Sequence, residues 1–95
     1  MAGTITLGSQ VRVSGAVVFR DLEGELVLLN LESGVYFGLD PVGTRIWHLL
    51  KEPCALEQIL DALVDEYDVA RGQCERDLLR FIGHLREKVL IEVSD

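Results

Sequence analysis

The fold of this 95-residue chain is decided by residues 25–47, which read ELVLLNLESGVYFGLDPVGTRIW. Residues 25–31 have the length of a β-strand and are apolar on both faces. One face carries Leu26 and Leu28, and the other carries Val27, Leu29 and Leu31. A strand that is covered on both sides is most simply the central strand of its sheet.

The neighbouring segments predict two further strands. Residues 32–34 form a short turn in which Gly34 is free to adopt a positive φ. Residues 35–39 follow as a strand with Val35, Phe37 and Leu39 on one face and Tyr36 and Gly38 on the other. Residues 16–20 form the preceding strand, which a polar stretch at 21–24 closes. We therefore expect an antiparallel meander whose first and third strands are its edges.

Helical patterns follow the meander. Asp40 and Pro41 are a typical helix start, since Asp caps free N–H groups and Pro is tolerated at the first position. The spacing of apolar residues predicts that this first helix runs to about residue 51 and that two more follow, over about 56–68 and about 70–88. A short strand at 90–93 is predicted after them. That strand is expected to pair with the sheet or with the N-terminal segment. Strands followed by helices predict an α+β fold, similar to a winged-helix arrangement with the wing first.

Length and composition limit the function. We expect a single domain at residues 16–93, preceded by a partly ordered segment at 1–15. No apolar run approaches the roughly 20 residues that span a bilayer, and no export signal is apparent, so we expect a cytoplasmic protein. With 9 basic and 16 acidic residues, the net charge of −7 argues against nucleic acid or an anionic membrane surface as a partner.

The sequence contains no recognisable catalytic or metal-binding motif. Cys54 and Cys74 lie in no CxxC pair and are expected to be buried small residues. His48 and His84 are on separate helices without an activating partner nearby, and a Cys–His pair can be assembled only in space. The glycines form no phosphate-binding loop. An acidic row on the second helix, at Glu57, Asp61 and Asp65, is more typical of a solvated face than of a metal site. We therefore expect neither an enzyme nor a cofactor.

Two features are candidates for binding. The third strand, residues 35–39, is an edge without the Lys, Pro or bulge that usually protects one, so an extended peptide could add to it. The alternative is that the N-terminal segment, the terminal strand or a dimer mate covers it.

On the third helix, one stripe next to the core residue Phe81 carries Asp77, Arg80, His84 and Lys88. This stripe is the densest basic row in an acidic protein, although taken alone it is more typical of a solvated face with Asp77–Arg80 and His84–Lys88 neighbours. If strand and helix pack together, both features border one groove.

The run at residues 27–47 resembles the signature of PqqD-like proteins, named after the pyrroloquinoline quinone synthesis protein D. The similarity continues through residues 59–63, 66–68 and 85–88, and covers roughly residues 16–93. It implies a winged-helix-like domain that binds the leader of a ribosomally made, post-translationally modified peptide. Such domains deliver the core peptide to a modifying enzyme, often a radical-SAM protein or a leader peptidase. In this sequence the implied leader site is residues 35–39 together with Arg80, Phe81, His84 and Lys88.

The run also differs from the pattern of the pyrroloquinoline quinone member itself and looks more like stand-alone members in lasso-peptide clusters. This difference argues against the pyrroloquinoline quinone pathway but not against the general role. The prediction is thus a non-catalytic peptide chaperone, as a monomer or homodimer. The alternative is a winged-helix regulator that binds nucleic acid, which the net charge and the acidic second helix oppose.

Overall fold

The structure, a computed structural model, describes residues 4–23, 25–52 and 54–94. It is an α+β fold in which two three-stranded antiparallel sheets accompany three helices. The elements in chain order are β1 Gln10–Val13, β2 Val17–Leu22, β3 Glu25–Asn30, β4 Tyr36–Leu39, α1 Pro41–Leu49, β5 Cys54–Ala55, α2 Leu56–Glu66, α3 Arg71–Glu87 and β6 Ile91–Ser94.

The meander is confirmed, with β3 between β2 and β4. The register places Leu28 of β3 opposite Phe19 on one side and opposite Phe37 on the other. Gly34 has a φ of 74° in the turn between β3 and β4, which is the left-handed conformation that glycine adopts without steric cost. The predicted strands differ from the observed ones by one or two residues at their ends, as expected for frayed termini.

The two faces of β3 are covered unequally. Leu26, Leu28 and Asn30 are buried on the face that packs against the helices. On the other face, Val27 and Leu29 are only half-buried, and Leu31, just beyond the strand, is 62% exposed. The prediction that β3 is central is correct, but the expected cover on its second face is only partial.

A second sheet, in the order β5-β1-β6, involves the N-terminal segment. The sequence predicted an extended, partly ordered segment at residues 1–15, yet its residues 10–13 form the central strand of this sheet and Val11 is 1% exposed. Two pairings were expected for the terminal strand, with the meander or with the N-terminal segment. The structure shows the second, since β6 pairs with β1. The proposed domain start at residue 16 stays a prediction.

The first helix begins as its sequence predicts. The Gly43 N–H donates to Asp40 Oδ1 at 2.6 Å, and Pro41 occupies the first helical position. All three helices are shorter than predicted, since their final residues leave helical geometry: α1 ends at residue 49, α2 at 66 and α3 at 87. None of the helices in the described part of the chain is long and apolar enough to cross a membrane.

One hydrophobic core joins the helices to both sheets. Trp47 of α1, Leu60 of α2 and Ile82 of α3 are buried in it beside Leu28 of the meander and Val11 of the second sheet. Burying side chains of this size contributes about 1.5–3 kcal/mol each, before the cost of ordering the chain. The core therefore fixes α1 and α3 relative to β4, the edge strand that carries the candidate site.

Candidate functional site

The candidate site is a cavity of about 570 Å³ between β4 and α3. The first turn of α1 and the loop between α2 and α3 close its other sides. The lining residues are Phe37, Gly38, Leu39, Asp40, Val42, Gly43, Ile46, Leu63, Tyr67, Val69, Gln73, Cys74, Asp77, Leu78, Arg80, Phe81 and His84.

One side of β4 is a free sheet edge, since β4 pairs with β3 alone among the described strands. The Asn30 N–H donates to the Val35 carbonyl at 3.0 Å, so these two residues form a hydrogen-bonded pair. Hydrogen-bonded and non-hydrogen-bonded pairs alternate along an antiparallel ladder, so Phe37 turns its N–H toward β3. Tyr36 and Gly38 therefore turn their N–H and C=O groups toward the free side.

This arrangement bears on two of the three alternatives for the edge, the N-terminal segment and the terminal strand. The N-terminal segment and the terminal strand pair with each other in the second sheet, so in the described residues neither covers β4. Charged side chains and prolines, which usually protect such an edge, do not occur between Tyr36 and Leu39. The edge is thus able to accept a further strand.

The floor of the groove is aromatic and aliphatic. The ring centroids of Phe37 and Phe81 lie 6.4 Å apart with an interplanar angle of 57°, a tilted arrangement within the favourable range for aromatic pairs. Gly43 brings α1 close to this pair, because a Cβ at this position would lie 3.3 Å from the Phe81 ring. A side chain at position 43 would require Asp40 or Phe81 to shift by a few tenths of an ångström.

The rim of the groove is basic along α3. Arg80 and His84 are exposed and line the cavity, and the Lys88 ammonium lies 5.8 Å from the Phe37 ring centroid, within cation–π range. The ion pairs found among the described residues lie elsewhere, between Arg12 and Glu92, Arg45 and Glu66, and Arg71 and Asp61. Asp77 accepts a hydrogen bond from Gln73 Nε2 at 3.0 Å rather than pairing with Arg80.

The structure brings most of the predicted site residues together. Those that line the cavity are Phe37, Gly38, Leu39, Asp77, Arg80, Phe81 and His84. Lys88 lies just beyond them over Phe37, and Val35 precedes β4. Tyr36 is 70% exposed because its side chain points to the outer face of the sheet, opposite Leu29. Its contribution to the site is its edge-facing backbone.

The sequence did not single out the other end of the groove, which Val42, Gly43, Tyr67, Val69, Gln73 and Cys74 line. Helical spacing could have found Gln73, which lies one turn before Asp77 on the same stripe. Position along the chain could have suggested Val42 and Gly43, which directly follow β4. The sequence placed Tyr67 near the end of the predicted second helix, but Tyr67 and Val69 follow α2 in a loop, where both line the groove and remain exposed.

The two cysteines are half-buried and pack against the core, so they are less buried than the sequence predicted. Burial raises the pKa of both thiols, and at Cys74 the nearby Asp77 carboxylate raises the pKa further. Because a raised thiol pKa keeps the group protonated at neutral pH, these thiols are weak nucleophiles. The described residues contain no group of three or more His, Cys, Asp or Glu side chains that could hold a metal ion.

Comparisons with known proteins agree with this geometry. The family described as coenzyme PQQ synthesis protein D (PqqD) matches residues 25–91. A structure of TbiB1 in complex with the TbiA(beta) leader peptide is 49% identical in sequence, with a TM-score of 0.80, covering 85% of this chain and 94% of that one.

A lasso peptide synthetase B1 complexed with the leader peptide has the same fold at 24% identity and a TM-score of 0.77, covering 86% of this chain and 96% of that one. No curated protein sequence matches the chain. Because the family match spans both walls of the groove, from β3 through α3, this chain belongs to the PqqD family.

Proposed function

We propose that this protein binds the leader segment of a ribosomally made precursor peptide along β4 and presents the peptide to a modifying enzyme. The observation that carries the proposal is the free edge of β4 beside an apolar groove with a basic rim. The relative at 49% identity is described in complex with a leader peptide, which supports the same class of ligand here.

The ligand would bind as an additional strand. The outward-facing backbone groups of Tyr36 and Gly38 would hydrogen-bond to it, and alternate side chains of the ligand would enter the groove over Phe37 and Phe81. Main-chain hydrogen bonds provide affinity for an extended peptide of any sequence. The apolar floor and the cations of α3 provide selectivity for a leader with apolar and acidic residues.

The proposed role in modification is one of proximity. A protein that holds both the leader and the enzyme makes the encounter of core peptide and active site effectively intramolecular. Leader-binding members of this family are generally non-catalytic partners, and we infer the same role here. The proposed enzyme is a radical-SAM protein or a leader peptidase, and the neighbouring genes would distinguish the two.

Regulation through nucleic-acid binding is the less favoured function. The cations of the groove form one short row, Arg80 to Lys88, in a chain with a net charge of −7. A surface that contacts phosphates requires a larger basic patch. An electrophoretic shift of generic DNA at low salt would support this alternative, and its absence would exclude it.

Calorimetric titration with the TbiA(beta) leader peptide tests the proposal. We expect saturable binding of the leader and none of a scrambled peptide of the same composition. Alkylation of the two thiols, with and without bound leader, locates the site. Bound leader should protect Cys74, which lines the groove, and leave Cys54 unaffected. Equal binding of leader and scrambled peptide, or protection of Cys54 alone, would contradict the proposal.

A further inference from the structure

Asn30, the last residue of β3, forms hydrogen bonds inside the protein through both the oxygen and the nitrogen of its side-chain amide. It is 2% exposed, and its Oδ1 accepts hydrogen bonds from the backbone N–H groups of Glu32 at 2.9 Å and Ser33 at 3.2 Å. These bonds shape the turn that leads into β4. Its Nδ2 donates to the Val89 carbonyl at 2.8 Å.

Val89 lies directly after α3 in an unusual conformation. Its φ is 56°, a left-handed value that β-branched residues rarely adopt. The Val89 N–H donates to the Arg86 carbonyl and the Leu90 N–H to the Leu85 carbonyl, both at 3.0 Å, which is the Schellman pattern of a helix end. Glycine usually occupies this position, so a strained valine requires support from its surroundings.

The Asn30–Val89 hydrogen bond joins the two walls of the groove at one end. Asn30 organises the turn before β4, and Val89 follows Lys88, whose ammonium lies over the Phe37 ring of β4. At the other end, Gly43 packs against Phe81 and joins α1 to α3. The separation of β4 and α3 is thus held from both ends of the groove, and Asn30 itself does not line it.

We propose that Asn30 is a positioning residue for leader binding: by clamping the turn before β4 to the end of α3, it sets the width of the groove. The inference rests on the proposed function. The required chemistry is specific, because the amide must accept two hydrogen bonds at one atom and donate one at the other. Asparagine does both, whereas an ionised aspartate of nearly the same shape only accepts.

The Asn30→Asp variant separates the two halves of the clamp. It retains the acceptor for Glu32 and Ser33 but loses the donor to Val89. We expect affinity for the TbiA(beta) leader to fall about tenfold. Hydrogen exchange should accelerate at the Leu90 amide, at the end of α3, while the Glu32 and Ser33 amides stay protected. Asn30→Ser is a second variant in case the buried carboxylate prevents folding, because its hydroxyl can still cap the turn without reaching Val89.

Val11→Ala is the control for a general loss of stability, because Val11 is buried in the second sheet, away from the groove. At a temperature where it is well folded, it should bind the leader as the wild type does. Wild-type affinity in folded Asn30→Asp or Asn30→Ser would overturn the clamp, as would an equal loss of affinity in Val11→Ala. Absence of leader binding by the wild type would instead overturn the proposed function, and this inference with it.

Discussion

Gly38 turns its backbone N–H toward the free edge of β4, and the space that a side chain at this position would occupy is open. Nothing lies within 4 Å of a Cβ built at this position. A substitution here therefore changes the edge without disturbing the core. Phe37 is less suitable, because its N–H faces β3 and its ring packs against Phe81.

We predict that Gly38→Pro weakens leader binding at least about fivefold, because it removes one main-chain donor from the edge and its ring obstructs an added strand. Gly38→Ala is the matched control, since it adds a Cβ at the same position and retains the donor. Calorimetry with the leader, together with circular dichroism to verify the fold, checks the prediction. A folded Gly38→Pro variant with unchanged affinity would place the ligand elsewhere.

At the scale of elements, the second sheet was only partly predicted from the sequence, which indicated the terminal strand and two possible pairings for it but neither β5 nor an ordered β1. Its central strand, β1, pairs with β6 from the other end of the chain, and the Arg12–Glu92 ion pair at 3.0 Å accompanies this pairing. Both side chains of that ion pair are largely exposed, so it adds little to stability. The buried side chain of Val11 is what anchors β1 to the core.

We predict that Val11→Ala lowers the free energy of unfolding by about 2 kcal/mol, the cost of deleting two buried methyl groups and leaving a small cavity. Val18→Ala, the same change on β2 at a residue that is 46% exposed, should cost less than about 0.5 kcal/mol. Urea denaturation of the two variants is the measurement. Equal stabilities would mean that residues 10–13 are only loosely attached, as the sequence alone suggested.

At the scale of the whole molecule, the charge distribution favours one place for an acidic ligand. The protein carries a net charge of −7, which repels an acidic peptide from most of its surface. The basic row on α3, formed by Arg80, His84 and Lys88, makes the surface beside the free edge less negative than the rest. None of the ion pairs found among the described residues involves Arg80 or Lys88, so both charges can still pair with a carboxylate of a ligand.

We predict that Arg80→Glu weakens binding of an acidic leader more than Arg80→Ala does. Loss of one exposed ion pair costs about 0.2–1 kcal/mol, and charge reversal adds repulsion. Because Arg80 is exposed, the difference between the variants should shrink as salt rises. Titrations at low and high salt provide the measurement. If wild type and both variants bind equally at either salt concentration, the basic row is an ordinary solvated face.

The sequence by itself determined the local elements of this protein and the edge strand of its candidate site. The two apolar segments within residues 25–39 and the short turn between them predict β3 and β4, and Asp40 and Pro41 start α1. These signals act between residues that are close along the chain. The basic row on α3 was likewise predictable, since helical spacing alone places Arg80, His84 and Lys88 on one side.

Only the tertiary structure decided how distant segments combine. Arg12 and Glu92 are 80 positions apart, and Asn30 and Val89 are 59 apart, so no local period marks either contact. Tyr67 and Val69 line the groove although they are 37% and 46% exposed, and their place there likewise depends on the packing of α2 against α3. Short strands such as β1 carry too few residues to specify a partner. Their pairing is decided by which apolar side chains the common core can bury, and that is a property of the whole chain.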